Sequence, residues 1–161
     1  MKIYTKTGDD GMSSLINSER IKKSDIIFDV LGTVDELSSH IGLAKAADGG
    51  KVFFSMLEEV QKTLAKLMAG VASGGDKKYE ITEENILFLE KNIDCLEKSF
   101  AFVLPGKNEL SARLDVARCV ARRAERLFVR AGEKYTLDKN AGIYLNRLSD
   151  FLYTLALAER E

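Results

Sequence analysis

The feature that most constrains this chain is a stripe of small and apolar residues, Leu114, Ala117, Ala121, Ala124 and Phe128, recurring at intervals of three and four. Such positions share one face of a helix, and the alanines let a neighbouring element approach closely. The spacing predicts a helix from about Asn108 to Gly132. Four more stripes obey the same rule. Ile27, Leu31, Val34, Leu37, Ile41 and Ala44 give a helix over Asp25 to Ala47, stopped by "DGGK". Phe53, Met56, Leu57, Val60, Leu64 and Leu67 give another over about Val52 to Val71, and "SGGDKK" after it reads as a loop. Thr82 followed by Glu83 and Glu84 has the composition of a helix N-cap and acidic first turn, ahead of Ile86, Leu89, Ile93 and Leu96. Ala141, Leu145, Leu148, Leu152 and Leu155 mark a last helix from about Asp138. The only proline, Pro105 in "FAFVLPGK", signals a rigid connection. With no convincing alternating strand, repeat or linker, the chain reads as all-α: one domain over 1–161, an irregular arm (1–24) followed by a five-helix bundle (25–161).

A chain of 161 residues buries roughly 70% of the surface it exposes when unfolded, so a full core is attainable without staples. Lys and Arg number 24 against 25 Asp and Glu, a formal charge of -1, which argues against a general polyanion binder and so against a nucleic-acid partner. Any basic site must be local. Cys95 and Cys119 lack C-x-x-C spacing, and the single His40 cannot complete a zinc set with them. A carboxylate-bridged di-iron bundle needs Glu-x-x-His on two helices, and Leu37 stands three before His40. G-x-S-x-G is absent, so no nucleophile elbow is expected. With no signal-peptide pattern and no apolar run near the ~20 residues that span a bilayer, the expectation is a soluble, cytoplasmic protein without a membrane partner.

Three polar patterns remain. "YTKTGDDGMSS", Tyr4 to Ser14, combines Gly8 and Gly11 with Thr5, Thr7, Ser13 and Ser14, a composition that can converge on an anion. It is not a Walker loop, because Met12 follows Gly11, and by itself the segment reads first as a merely polar arm, with anion binding the alternative. In "RCVARRAERLFVR", Arg118, Arg122 and Arg126 advance along one ridge opposite the alanine stripe, with Glu125 beside it and Asp115 one turn earlier. Like charges four apart destabilise a helix, so the ridge requires anionic partners: carboxylates of this or another subunit, or a polyphosphate matched to the guanidinium forks. In the last helix Asn146, Ser149 and Tyr153 form a polar ridge, either solvated or bonded to a ligand. Asp35 and Glu36 sit among hydroxyl residues in "GTVDELSSHIGLA", where His40 reads as a polar-face residue.

Taken in order, "YTKTGDDGMSSL", "GTVDELSSHIGLA", "FVLPG", "ARCVARRAER" and "YLNRLSDFLYTLA" closely resemble the signature blocks of the PduO-type ATP:cob(I)alamin adenosyltransferases, over Lys2 to Ala156. The resemblance implies a five-helix bundle assembled as a homotrimer with active sites between subunits. It implies that the arm binds ATP through Thr5, Lys6, Thr7, Gly8, Ser13 and Ser14, with Lys23 a further contact. Arg122, Arg123, Ala124, Glu125 and Arg126 match the nucleotide-binding run, Arg122 being the candidate for the triphosphate, and Asn146 matches an asparagine that holds the nucleotide. Asp35 and Arg118 resemble an intersubunit salt bridge, and Phe102 an aromatic residue crowding the lower axial face of the corrin. Ser18, Lys107 and Asp115 depart from the usual glycine, glycine and histidine, and the end at Glu161 implies a more open corrinoid pocket.

The implied reaction moves the 5′-deoxyadenosyl group of ATP to the cobalt of a reduced corrinoid and releases triphosphate. Co(I) is itself the nucleophile, which suits a chain without a triad or general base. Mg²⁺ carried mainly by the phosphates, an external electron donor and an adenosylcobalamin-dependent recipient enzyme are the implied partners. Two rival readings are a non-catalytic ATP or corrinoid sensor or delivery protein, and a purely structural trimeric bundle.

Overall fold

The computed structural model describes residues 4, 6–17, 19–96 and 103–159. Five helices carry the architecture: α1 (Ile26–Asp48), α2 (Phe54–Ala72), α3 (Glu83–Leu96), α4 (Glu109–Ala131) and α5 (Lys139–Ala158). Their bounds fall within two residues of those the sequence predicts where both are defined, because the stop and start signals are local and strong. Asp25 caps α1 by accepting from the Ile27 amide, and Gly49 ends it in the left-handed region at φ 63°. Asn108 and Ser111 cap each other's backbone at the start of α4, and Asp138 accepts from the Asn140 amide at the start of α5. α2 has no side-chain cap of its own. Instead Asp48, 3% exposed, accepts the amides of Lys51, Val52 and Phe53, so the carboxylate ending α1 satisfies the donors that lead into α2.

The main helix pairings run α2–α1–α4–α5–α3, which makes α4 central rather than fourth in line. Its stripe supports that position: Leu114, Ala117, Ala121 and Ala124 are fully buried and Phe128 nearly so. Leu145, Leu148, Phe151, Leu152 and Leu155 of α5 meet them, and Val34, Leu37, Ile41 and Ala44 close the core from α1. Each such aliphatic side chain contributes about 1.5–3 kcal/mol relative to exposure.

The arm is not wholly irregular. Residues Met12–Ser14 (β1) and Arg20–Lys22 (β2) pair antiparallel, Met12 with Lys22 and Ser14 with Arg20. Three-residue strands are too short for alternation to register in a sequence, which explains why the hairpin escapes pattern reading. Leu15, 8% exposed, roots it in the core, and the Ile16 amide donates to the Ala72 carbonyl at 2.9 Å. The stretch after α2 also departs from a plain loop, since Lys77–Tyr79 form one 3₁₀ turn capped by Asp76.

Candidate active site

The arginines of α4 divide by environment. Arg123 pairs with Glu36 of α1, a contact across 87 residues of sequence, and His40 lies 3.9 Å from the same carboxylate. Arg118 is half-buried, with Nε 3.7 Å from Asp115 Oδ1 and its guanidinium carbon 6.0 Å from the centre of the Tyr153 ring. Arg122 and Arg126 are exposed, and neither joins a salt bridge among the described residues. They stand one turn apart, about 6 Å along the axis. The ridge is therefore not uniformly opposite the core, as its spacing suggests. Asp115 is 4% exposed although helical spacing places it within about 20° in azimuth of the exposed Arg122 and Arg126, so neighbouring structure covers the ridge at its N-terminal end and leaves the C-terminal end open.

Glu125, beside the ridge, accepts a 2.8 Å hydrogen bond from Asn146 Nδ2 of α5. That bond brings two sequence-chosen residues together across α4 and α5. The rest of the expected α5 ridge is corrected. Ser149 is 3% exposed and its hydroxyl donates to the Asn146 carbonyl, so it belongs to the packed face. Ala124 lies in the core of the single chain with no exposed surface, where it allows close helix packing. Asp35 is exposed, and within one chain no salt bridge among the described residues joins it to Arg118. Thr5, Ser18 and Phe102 lie outside the described residues.

The arm closes on itself. Lys23 Nζ donates to the Gly8 carbonyl at 2.7 Å, and Arg20 Nη2 donates to the Thr7 carbonyl at 2.9 Å and to both oxygens of Asp10. Lys6 takes φ 61°, a left-handed conformation unusual for a side chain of its kind. A Cβ on Gly8 would sit 3.0 Å from Lys23 Nζ, so glycine permits the lysine's approach. Ser13 is half-buried and Ser14 exposed, one on each side of the β1 pleat. Sequence reading selected Lys23 but missed Arg20, whose only signal is the basic turn "SERIKKSD". It also missed the anchor below the arm: Asp25 accepts from Tyr135 Oη at 2.9 Å and pairs with Lys134. Burial pushes the Asp25 carboxyl up, but the bonds from Lys134, the Ile27 amide and Tyr135 outweigh it and hold the carboxyl below its ordinary value.

None of these residues lines the cavity of about 240 Å³ between the end of α2 and the α4–α5 turn, which is walled by Leu67, Val71, Ile81 and Phe128. The candidate site is thus a seam on α1, α4 and α5, with two exposed arginines one helical turn apart and in no salt bridge among the described residues.

The sequence matches the cobalamin adenosyltransferase family over residues 3–159. The chain belongs to that family. Cobalamin adenosyltransferase relatives share its full helical extent. The chain is 41% identical to a corrinoid adenosyltransferase of Citrobacter freundii, covering 98% of this chain and 94% of that protein. It is 40% identical to a human corrinoid adenosyltransferase, covering 96% of this chain and 67% of the relative. Among solved structures, a variant PduO-type ATP:corrinoid adenosyltransferase from Lactobacillus reuteri, complexed with cobalamin and ATP, superposes with a TM-score of 0.91 at 31% identity, over 99% of this chain and 91% of that one. The five-helix bundle expected from the sequence is the fold of the family.

Proposed function

We propose that this protein transfers the 5′-deoxyadenosyl group of ATP to the cobalt of a reduced corrinoid, releasing triphosphate. The observation that carries the reading is the pair of exposed guanidinium groups, Arg122 and Arg126, left without carboxylates while Arg118 and Arg123 are paired. Like charges one turn apart oppose helix stability unless an anion spans them, and a triphosphate supplies oxygens at that spacing. Arg122 takes the triphosphate, and Glu125 with Asn146 fixes the nucleoside end. Arg123 stiffens the seam through Glu36. Asp35 and Arg118 meet across two copies, in a homotrimer whose sites lie between subunits. The exposure of the seam's two arginines supports this, since a second copy supplies a wall over them. Thr5, Lys6, Thr7, Gly8, Ser13, Ser14 and Lys23 close over the ATP from that copy, and Phe102 crowds the lower face of the corrin.

No three His, Cys, Asp or Glu side chains cluster as a cage among the described residues. Mg²⁺ in this reading is carried by the phosphates, where it neutralises charge. The corrinoid supplies the nucleophile and the protein supplies position: it holds the 5′ carbon over cobalt and stabilises the leaving triphosphate. An external donor reduces the cobalt, and an adenosylcobalamin-dependent enzyme receives the product. The chain acts as one cytoplasmic domain, arm and bundle together; no described helix is long and apolar enough to cross a membrane.

Anaerobic incubation with ATP, Mg²⁺ and chemically reduced cobalamin tests the activity. A cobalt–carbon bond in the visible spectrum, with stoichiometric triphosphate, is the expected result. ATP binding without adenosylation under strong reduction would establish the sensor instead.

A further inference from the structure

Asp115 is a buried carboxylate. It is 4% exposed and sits on α4 between Leu114 and Ala117, which are fully buried. A charge at such a position costs several kcal/mol unless a partner compensates it. One turn on, Arg118 Nε lies 3.7 Å from Asp115 Oδ1 and has no hydrogen-bond partner among the described residues. The guanidinium carbon is 6.0 Å from the Tyr153 ring centre, and the side chain keeps 28% of its surface. The Nε atom is thus buried while part of the side chain stays accessible. The group is planar with its N–H donors in a fixed fork, so fixing the Nε edge fixes where the two Nη groups point.

We infer that Asp115 is a positioning residue: it holds the Nε edge of Arg118 against α4 so that the Nη pair is presented at the seam to the carboxylate of Asp35 in a second copy. This rests on the assignment of Arg118 made above. Asp115 and Asp35 then share one guanidinium rather than compete for it, because they use different edges. The acid on α4 does the orienting before the subunits meet.

The sign of a kinetic change separates this role from its rivals. Asp115→Asn keeps the shape and removes the charge. If Asp115 acted only through its field, removing a negative charge beside a polyphosphate site would lower KM for ATP, and a merely packed side chain would leave KM alone. A positioning role raises it, by about fivefold, with kcat at saturating ATP changed less than twofold. The full-length protein is assayed as the wild type and as Asp115→Asn, Arg118→Ala and the double variant, with melting temperatures confirming that each is folded. Asp115→Asn is expected to raise KM in the wild-type background and not in Arg118→Ala. An unchanged or lowered KM, or an equal rise in both backgrounds, overturns the proposal. Wild-type kinetics in Arg118→Ala would sink the Arg118 assignment and the positioning role with it. Should the Asn variant unfold, Asp115→Ala, which also removes the charge, replaces it under the same criteria.

Discussion

The two halves of the candidate site are built on opposite physical terms. The α1–α4–α5 face stands on buried helices, and its polar side chains are tied to one another across elements: Glu36 to Arg123, Glu125 to Asn146. The arm stands on almost no core. Leu15 is its one buried side chain among those described, and besides local backbone turns the side-chain bonds that shape residues 6–11 come from two exposed cations of the arm, Arg20 and Lys23. One half is preorganised by packing that would persist without ligand. The other is held by exposed hydrogen bonds and an ion pair, worth about 0–1 kcal/mol each, that a triphosphate can displace. A site that must wrap a polyanion and then release triphosphate benefits from having one rigid half and one exchangeable half.

The comparison breaks most sharply in the core. Leu148→Ala removes a fully buried side chain from α5 and is expected to cost about 2–5 kcal/mol in denaturant unfolding. A loss below about 1 kcal/mol would mean that the face is not packed as described. Next comes Arg122→Ala. Losing charge-assisted bonds of about 1.5–3 kcal/mol should lower turnover efficiency ten- to a hundredfold. Because Arg122 is exposed and in no described salt bridge, the melting temperature should hardly move. A large stability loss there would assign the residue to the scaffold.

Asp25 joins the halves, since it caps α1 at the foot of the arm and binds Lys134 and Tyr135 of the α4–α5 turn. Asp25→Ala is expected to cost about 1–2 kcal/mol near neutral pH. The pH window follows from the direction of its shift. The folded carboxyl lies below its ordinary 3.8, so its stabilisation is complete above that value and disappears as pH falls through the lower, folded one. Stability curves for the wild type and Asp25→Ala should therefore converge only in strong acid. Convergence near pH 6 would contradict the assignment.

The smallest stability effect is expected in the arm. Gly8→Ala places a Cβ 3.0 Å from Lys23 Nζ and 3.3 Å from the Met12 carbonyl oxygen, so the lysine must shift. Unfolding free energy should change by less than about 0.5 kcal/mol, as for other surface substitutions, while ATP affinity falls. If stability falls and ATP affinity holds, the arm is part of the scaffold after all. Limited proteolysis near Lys6 gives a finer reading, with protection by ATP expected.

Much of this was legible in the residues, for a reason that particular elements show. The stripe from Leu114 to Phe128 fixed α4, and Asp25, Asn108, Asp138 and Gly49 fixed helix ends, because periodicity and capping act within a turn or two of the residues that encode them. The choice of Arg122 and Asn146 as site residues came from the resemblance of whole blocks, and their neighbourhoods are now visible. The hairpin Met12–Ser14 with Arg20–Lys22, the burial of Ser149 and the core position of Ala124 needed the structure. So did the sorting of four arginines that look alike in sequence. Which of them are free depends on carboxylates such as Glu36, distant along the chain, and Asp115, near in sequence but buried. Helix formation is decided by local spacing, so the sequence by itself determined the bundle. Charge compensation is decided by which faces meet, and only the tertiary structure left Arg122 and Arg126 open to an anion.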